Sequence, residues 1–414
     1  MPEALSMAIR ACRICESGEL TEILDLGAQP PANSLRRDLA TRLPTVPLVL
    51  CQCAACGTVQ LTETVSPDYL FRDYVWVTGT SDVARAYGAA FCDAMLSRCR
   101  PGKLSVLEIA SNDGTFLQRF RERGHGVVGV DPAKNIAAMA QEAGVPTIAD
   151  FFGLDLARRL VSDRGLLDVV FARNVIPHVA DVHDVIAGIA HCLSETGVGA
   201  IEFHRADCIL DGLQYDSIYH EHLVYHSLHS IAFLLARFGL QSFDVADSPI
   251  SGGSCVVYFS KSERRQSAAY QALHARETEI EINRARPWRD FARRAEVHRR
   301  ELRALVEDNK RKGKRLIGYG ASARSSTMLN FCGIDRRHLD LVADRSPLKH
   351  RRYTPGTDIL ITTPDVAFAA RPDMVLLLAW NFRDEILAQI RAEQNWSGEV
   401  IVPLPATPTT VAVA

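Results

Sequence analysis

The sequence lacks a long hydrophobic run and has no excess of charge of either sign. Its longest apolar run, residues 374–380, is far shorter than the roughly 20 residues that a membrane-spanning helix requires. Residues 1–10 contain no basic segment followed by an apolar one, which argues against an export signal. Lys and Arg together number 47 and Asp and Glu 49, a formal net charge of −2, so no global field would attract nucleic acid. We therefore expect a cytoplasmic protein with a small-molecule partner, and neither nucleic acid nor a membrane.

The sequence also lacks the composition of a disordered chain or of a disulfide scaffold. Apolar residues make up 47% and charged residues 23%, which is typical of a soluble globular protein. At 414 residues, the chain is long enough for two or three domains, and we expect a monomer. Eleven cysteines are an odd number in a large chain without an export signal, so we do not expect a disulfide framework.

The N-terminal segment, residues 1–70, has little periodicity and reads as a small irregular module. Its cysteines include two Cys-x-x-Cys pairs: Cys12 with Cys15, and Cys53 with Cys56. Four thiolates in this spacing indicate a tetrahedral structural zinc with no open position for catalysis, and the metal would stabilise a module too small to fold comfortably alone. Cys51 is a competing ligand. Free buried thiols are the alternative interpretation.

The remaining sequence predicts two α/β units joined by helices. Residues 71–262 alternate short apolar runs with amphipathic stretches, which is typical of a doubly wound sheet. Residues 263–310 are charged, with apolar positions at helical spacing, and predict a helical linker. Residues 311–414 predict a second, Rossmann-like α/β domain. We expect strands at 105–109, 126–130, 167–172, 199–203, 255–260, 315–320, 339–343 and 373–379.

The loop after the first of these strands has the form of a nucleotide-binding turn. It runs from Glu108 to Gly114 and leads into a helix, where backbone N–H groups converge on a ligand. Nucleotide-binding loops usually have Gly at the positions of Ala110 and Asn112, but Asn tolerates left-handed dihedrals well. Asp131, about twenty residues later at the end of the second strand, is suited to the ribose hydroxyls.

The ends of the next strands complete an adenosyl pocket. Asp150 and Phe151 are suited to the amino group and ring face of adenine, and Asn174 follows the fourth strand. No basic residue follows Asp131 at once, which favours S-adenosylmethionine over NADP, although Lys134 keeps NADP open. A well-formed turn without a ligand is the alternative.

The densest polar cluster lies between residues 215 and 227, with three imidazoles, two carboxylates and three phenols. If a helix begins at about His220, Tyr219, His222 and His226 share a face and Glu221 points away. A His near its ordinary pKa removes a proton at neutral pH, and a phenol stabilises the resulting oxyanion. A structural network of aromatics and histidines is the alternative. A second metal site is not indicated, because the helical zinc spacing is absent.

Seven motifs in order make the chain resemble the sugar C-methyltransferases of antibiotic deoxysugar biosynthesis. The motifs are the two Cys-x-x-Cys pairs, Glu108 to Gly114, Asn174-Val-Ile-Pro-His178, Tyr219-His-Glu-His222, Gly252-Gly-Ser254, Gly318-Tyr-Gly-Ala321, and Asp344-Arg-Ser-Pro-Leu-Lys349 running on to Tyr353-Thr-Pro-Gly356. The resemblance implies an N-terminal zinc-binding module, a class I methyltransferase-like domain that binds S-adenosylmethionine, and a C-terminal α/β domain associated with a nucleotide sugar.

The resemblance also implies roles for single residues. His222 would be the general base, with Tyr219, Glu221 and Tyr74 beside it. The family often has a second phenol where this chain has Trp76, and Arg324 stands where the family usually has Lys. The substrate-binding candidates follow the same motifs: His178, Gly320, Arg324, Lys349 and Tyr353.

The implied reaction is methylation of carbon next to a ketone, in a nucleoside-diphosphate 4-keto-6-deoxyhexose, with C3 favoured over C5. Base removal of the proton gives an enolate, and orientation between two rigid domains does much of the remaining work. One alternative is a C-methyltransferase acting on a non-sugar ketone. Another is a catalytically silent nucleotide-sugar binding protein.

Overall fold

In the described part of the chain, the fold comprises two α/β sheets and two smaller antiparallel ones. A computed structural model describes residues 5–71, 77–80, 82–249 and 252–413. Within this part of the chain, no helix is both long and apolar enough to cross a membrane. The predicted α/β class, with a small N-terminal module and a second α/β unit, is confirmed.

The N-terminal module is more regular than its sequence indicated. Its strands are β1 (Ser6–Ala8), β2 (Leu20–Gln29), β3 (Val46–Cys53), β4 (Val59–Leu61) and β5 (Glu63–Val65). β2, β3 and β4 form an antiparallel meander, and β1 pairs with β5. Our prediction of an irregular segment was wrong because two register shifts in β2, between Glu22 and Leu24 and between Asp25 and Ala28, break the alternation.

The central domain is built around a seven-stranded sheet. Its helices are α1 (Pro67–Phe71), α2 (Asp82–Leu96), α3 (Thr115–Glu122), α4 (Lys134–Glu142), α5 (Leu154–Arg164), α6 (Val182–Cys192), α7 (Ala206–Asp211) and α8 (Leu228–Ala236). Its strands are β6 (Ser105–Ile109), β7 (Gly126–Val130), β8 (Thr147–Ile148), β9 (Leu167–Arg173), β10 (Leu193–His204), β11 (Val224–Tyr225), β12 (Gln241–Ser248) and β13 (Ser254–Ser260). Short 3-10 turns occur at Thr78–Thr80, Ile176–His178 and Tyr215–Ser217.

The sheet order is β8–β7–β6–β9–β10–β13–β12, with β13 antiparallel to both of its neighbours. This is the doubly wound arrangement of a class I methyltransferase, with the crossover point between β6 and β9. Ligands bind at the carboxyl ends of the strands beside such a point. The loops after β6, β7 and β9 are therefore the expected cofactor site.

The C-terminal part repeats the α/β principle. It contains α9 (Ala268–Glu279), α10 (Ala285–Arg311), β14 (Leu316–Tyr319), α11 (Ala323–Cys332), β15 (Val342–Ala343), β16 (Ile361–Thr362), α12 (Pro364–Ala369), β17 (Met374–Leu377), α13 (Arg383–Glu393), β18 (Gly398–Val402) and β19 (Thr409–Val413). The sheet order is β16–β15–β14–β17–β18–β19, with only β19 antiparallel among these strands. The strands expected here are present, while β16, β18 and β19 were missed.

The three units meet around the polar cluster. β11 adds to the N-terminal sheet as an antiparallel neighbour of β4, with Val224 opposite Gln60 and Tyr225 opposite Val59. One buried apolar cluster includes Leu50 of the N-terminal module, Tyr215 of the central domain and Leu329 of α11. The domain boundaries at residues 70, 262 and 310 stay predictions.

Candidate active site

The N-terminal module brings four thiols together. The sulfur atoms of Cys12, Cys15, Cys53 and Cys56 all lie within 4.8 Å of one another. Cys12 Sγ is 3.7 Å from Cys56 Sγ, and Cys15 Sγ is 3.4 Å from Cys53 Sγ. Zn–S bonds of about 2.3 Å in a tetrahedron place sulfurs about 3.8 Å apart, so the donor set fits a structural zinc. Cys51 is buried but does not belong to this group.

The loop after β6 has the backbone that cofactor binding requires. Ala110 and Asn112 both have φ of 51°, and Gly114, which precedes α3, has φ of 78°. The two non-glycine residues thus adopt the left-handed conformation at the positions where glycine is usual, at a cost of about 1 kcal/mol or more for Ala110. Strain of this kind persists where the surrounding structure fixes it.

Asp131 holds this loop in place. Its Oδ2 accepts the N–H of Asn112 at 2.9 Å and its Oδ1 accepts the N–H of Ala133 at 2.9 Å. Burial raises the pKa of Asp131, while the two backbone N–H groups oppose that rise. Each carboxylate oxygen retains a second lone pair, so ribose hydroxyls remain possible ligands.

The adenine candidates lie at the carboxyl edge of the same sheet. Phe151 is 52% exposed and offers an open ring face. Both carboxylate oxygens of Asp150 already have a partner: its Oδ1 accepts the N–H of Phe151, and its Oδ2 pairs with Arg159 at 3.0 Å. Asn174 has φ of 53° and follows β9 directly. The structure brings these residues to one edge, as expected, and their contacts with adenine stay predictions.

Glu108 is the least expected member of the loop. It is buried, and burial raises its pKa well above the ordinary value, while the charge of Arg173 opposes the rise. The neighbouring Arg173 donates from Nε to Glu202 at 2.7 Å and stacks on Phe116, with its guanidinium carbon 3.2 Å from the ring centre.

A short segment that sequence analysis missed closes over the loop. The N–H of Thr78 donates to Asn112 Oδ1 at 2.8 Å, and the N–H of Gly79 donates to Asp113 Oδ2 at 2.8 Å. A Cβ on Gly79 would lie 2.5 Å from Asp113 Oδ2, so only glycine permits this approach. Tyr74, our candidate for the fourth catalytic residue, lies outside the described residues.

Tyr219 and His222 form a stacked, hydrogen-bonded pair. Tyr219 Oη lies 2.7 Å from His222 Nε2, and the ring centres are 4.0 Å apart. His222 Nδ1 lies 3.1 Å from the carbonyl oxygen of Ser217. Because a carbonyl only accepts, Nδ1 carries the proton and Nε2 presents its lone pair to the phenol. This is the tautomer that a base acting through Nε2 requires.

The helix that we predicted from His220 is not formed. Residues 219–222 form a turn closed by the hydrogen bond from the N–H of His222 to Tyr219 O, β11 begins at Val224, and the helix begins only at Leu228. The backbone instead pairs with neighbouring segments, since the N–H of Leu61 donates to Leu223 O and the N–H of Leu223 donates to Pro177 O. His226 is consequently not beside Tyr219, because its Nδ1 bonds to Ser230 Oγ at 3.2 Å.

Several imidazoles near the pair are held neutral. Burial lowers the pKa of His222 well below its ordinary value and the charge of Arg324 lowers it further, while the hydrogen bond to the Ser217 carbonyl opposes the shift. Burial also lowers the pKa of His178 to about 4 and that of His204 to about 3. The His178 ring packs edge-on against His222, with centres 4.8 Å apart. At neutral pH, His222 is therefore unprotonated, and its lowered pKa makes it a weaker base than the imidazole of ordinary pKa that the sequence analysis assumed.

Glu221 is buried against the N-terminal module, a contact that the helical expectation did not indicate. Its Oε1 accepts a hydrogen bond from Asn33 Nδ2 at 2.7 Å, and burial raises its pKa to about 7. His220 donates from Nε2 to Val46 O at 3.1 Å. The zinc module thus forms one wall of the site. No motif in the sequence indicated that Asn33 would contact this site.

Glu221 should make stability depend on pH. A folded pKa of about 7 against an ordinary 4.5 means that ionisation destabilises the fold as pH rises from 4.5 to 7. Glu221→Gln should therefore raise the free energy of unfolding by on the order of 3 kcal/mol at pH 8 and change it little at pH 4. Urea unfolding at the two pH values measures this. The exposed Glu263→Gln should follow wild type, and an equal gain at both pH values would contradict the assignment.

The C-terminal candidates are drawn together only in part. Arg324 donates to Asp216 and Gln214 from Nε and Nη2, so its charge is already balanced by a carboxylate. Lys349 Nζ donates to Ala321 O at 2.8 Å and to Asp344 Oδ2 at 3.2 Å, which places it at the loop after β14.

Gly320 and Tyr353 have backbone roles. Gly320 has φ of 100°, and a Cβ there would meet the Ala379 side chain at 2.5 Å. Tyr353 pairs through its backbone with Arg36 of the N-terminal module. Whether either residue also contacts a substrate stays a prediction.

Comparison with known proteins agrees with this organisation. Residues 12–71 match a family model of a zinc binding domain, residues 84–244 one of a methyltransferase domain, and residues 249–405 one of a C-methyltransferase C-terminal domain. The C-methyltransferase NovU of Streptomyces niveus is 32% identical over 403 residues, which cover 96% of this chain and 96% of NovU.

Two solved structures match part of the chain at low similarity. The PH0226 protein of Pyrococcus horikoshii is 17% identical, covers 45% of this chain and 94% of its own, and gives a TM-score of 0.36. The magnesium protoporphyrin IX methyltransferase ChlM of Synechocystis, with bound S-adenosylmethionine, is 16% identical. The match covers 43% of this chain and 78% of ChlM, with a TM-score of 0.32. These scores are too low to support conclusions about this chain.

A class I methyltransferase sheet with its cofactor loop, joined to a zinc-binding module with four clustered thiols, defines an S-adenosylmethionine-dependent methyltransferase. Its similarity to NovU extends over nearly the whole length of both proteins. The chain belongs to the C-methyltransferase family that its motifs predicted, and S-adenosylmethionine and a structural zinc are its cofactors.

Asp131 gives the clearest test of the cofactor placement. Asp131→Ala should weaken binding of S-adenosylmethionine by tens to hundreds of fold, on the order of 2 to 3 kcal/mol, because it removes the predicted ribose ligand and the anchor of the Asn112 turn together. Calorimetric titration with S-adenosylhomocysteine measures it. Asp155→Ala, an exposed carboxylate on α5, is the control. Wild-type affinity in Asp131→Ala would refute the placement.

Proposed function

We propose that the enzyme methylates the carbon next to the ketone of a nucleoside-diphosphate 4-keto-6-deoxyhexose, at C3 in preference to C5. The observation that carries the proposal is the Tyr219–His222 pair, in which a neutral imidazole presents Nε2 as a base beside a phenol. A carbon methyltransferase acting next to a ketone needs such a base, because the substrate carbon becomes nucleophilic only after its proton leaves. Membership of a C-methyltransferase family supports carbon as the atom modified.

Tyr219 and His222 have different roles in the proposed reaction. The phenol of Tyr219 turns from His222 Nε2 to the ketone oxygen when substrate enters, which frees the lone pair of Nε2. Nε2 then takes the proton of the adjacent carbon, and the phenol donates a hydrogen bond to the enolate oxygen. S-adenosylmethionine, when bound, supplies the methyl group as an electrophile for that carbon. The low pKa of His222 keeps it unprotonated before the reaction and favours release of the proton afterwards.

We assign Glu221 and His178 to the walls of the substrate site. His178 packs against the His222 ring and limits its rotation. The pKa of Glu221, about 7, lies near neutral pH, where its carboxyl can both take up and release a proton. We therefore assign it either to returning the His222 proton to solvent or to holding a sugar hydroxyl. Tyr74 remains the proposed fourth member.

The nucleotide end is assigned to the loop after β14. Asp344 accepts the N–H groups of Ala321 and Ser346 at 2.8 Å each, which repeats at the second sheet the way Asp131 holds the loop after β6. The same strand, turn and helix arrangement thus recurs in both α/β units, and it is one that binds nucleotides.

Four side chains or turns around this loop are the proposed contacts for the diphosphate and base. They are Gly320, Lys349, Tyr353, and Arg324 through Nη1, which its bonds to Asp216 and Gln214 leave unused.

Incubation with S-adenosylmethionine and a panel of nucleotide 4-ketosugars tests the proposal. The expected result is a gain of one methyl group, placed at C3 by NMR. Turnover of a free ketone without the nucleotide would favour the non-sugar alternative. Binding of S-adenosylhomocysteine and of a dTDP-sugar without methylation of any ketosugar would favour a silent binding protein.

A further inference from the structure

A buried carboxylate of the central domain is held by two residues of the C-terminal domain. Asp216 is fully buried in the turn Tyr215–Ser217. Arg324 donates to it from Nε and Nη2, both at 3.1 Å, and Trp380 donates from Nε1 at 2.7 Å. The guanidinium carbon of Arg324 lies 5.0 Å from the Trp380 ring centre, which adds a cation–π contact.

The same turn carries the atom that orients His222. The carbonyl of Ser217, the residue after Asp216, accepts the hydrogen bond of His222 Nδ1 at 3.1 Å. The next carbonyl, that of Ile218, accepts a hydrogen bond from Thr327 Oγ1 of α11 at 2.9 Å. The segment that fixes the tautomer of His222 is therefore attached to helix α11 on both sides of Ser217.

The attachment is energetically substantial because Asp216 has no exposure to water. A buried carboxylate deprived of its partners is strongly destabilised, so it must take up a proton or move toward solvent. Either response displaces the turn and with it the carbonyl of Ser217. A carbonyl that retreats from Nδ1 no longer specifies which ring nitrogen of His222 carries the proton.

We propose that Asp216 is a positioning residue, which couples the C-terminal domain to the base by holding the Ser217 carbonyl against His222 Nδ1 through its bonds to Arg324 and Trp380. The inference rests on the proposed role of His222. Since Arg324 also lies in the first turn of α11, beside the loop assigned to the nucleotide, one element holds the substrate end and the base end of the site. A nucleotide that moves α11 would move the base with it.

The test is Asp216→Asn, which keeps the size of the side chain and removes its charge. We expect kcat to fall roughly 10- to 100-fold, as when the outer partner that orients a metal-bound imidazole is lost. The affinity for S-adenosylhomocysteine should stay within about threefold, and KM for the ketosugar should change less than kcat. Nitrogen NMR of the free protein should show His222 as the Nδ1–H tautomer in wild type and as a mixture in the variant.

A matched control is available in Asp207→Asn. Asp207 is equally buried and paired with Arg205 and Arg276, but it belongs to α7 and has no bond to the turn before His222. It should lose comparable stability while keeping kcat within about threefold and the His222 tautomer unchanged. Trp380→Phe removes one of the bonds to Asp216, should fold if Asp216→Asn does not, and should lower kcat several-fold with the same tautomer shift.

Two outcomes overturn the inference. One is an unchanged tautomer and kcat in whichever of Asp216→Asn and Trp380→Phe folds. The other is an equal loss of kcat in Asp207→Asn, which would assign the effect to general destabilisation. The tautomer readout also separates this inference from the proposed function: if His222 is not the base, the tautomer still shifts in Asp216→Asn, while His222→Ala keeps its turnover.

Discussion

His222→Ala should lower turnover by roughly 100- to 10,000-fold and leave the affinity for S-adenosylmethionine nearly unchanged. The reason is that proton removal and cofactor binding use different groups. His222 Nε2 faces Tyr219, whereas the cofactor loop is held by Asp131 and by the backbone of residues 110–114. Single-turnover methylation of the ketosugar measures the first quantity, and calorimetry with S-adenosylhomocysteine measures the second.

Solvent exchange isolates the proton-transfer step. With S-adenosylhomocysteine bound and a 4-ketosugar in D2O, wild type should bring deuterium into the carbon destined for methylation, and His222→Ala should not. His229→Ala is the matched control, since it removes an exposed imidazole of α8. Full exchange by His222→Ala would transfer the role of base to Glu221, His220 or a tyrosine.

Local signals in the sequence predicted the left-handed turn after β6 and the place of Asp131 beside it. The left-handed backbone at Ala110 and Asn112 follows from the usual loop pattern, and Asp131 follows from its distance along the chain. Strands β6, β7 and β9 are buried in a parallel sheet and therefore read as continuous apolar runs. Each of these features is decided by neighbours along the chain.

The catalytic side depends on partners distant in sequence, and there the prediction of a helix from about His220 was wrong. Glu221 is separated by 188 residues from Asn33, and Asp216 by 108 from Arg324. Local periodicity favoured a helix from His220, but the backbone there pairs with the zinc module and with Pro177 instead. Tertiary hydrogen bonds thus overrode the local pattern. No local pattern of one sequence indicates which strand edge a short segment such as β11 will join.

Because the catalytic side depends on the zinc module, removal of zinc should abolish most of the turnover. Zinc removal should unfold the module, because structural zinc contributes on the order of 10 kcal/mol or more to folding small modules. β4 would then no longer pair with β11, and Asn33 would no longer bond to Glu221. We therefore expect metal-free protein to lose at least about 100-fold in turnover, although no position at the metal is open to substrate, and to recover when zinc is returned.

Two cysteine variants test the same effect without a chelator. Cys53→Ser removes a ligand and should lower the zinc content from one per chain while reducing turnover as strongly as zinc removal does. Cys51→Ser changes a buried thiol two residues away on β3 that is outside the ligand group, and it should keep both its zinc and its activity. Elemental analysis and methylation rates on the two proteins decide the matter. Loss of zinc from Cys51→Ser but not from Cys53→Ser would mean that Cys51 is the ligand in place of Cys53. Full turnover by zinc-free protein would show that the wall of the site formed by Asn33 and β4 keeps its structure without the metal.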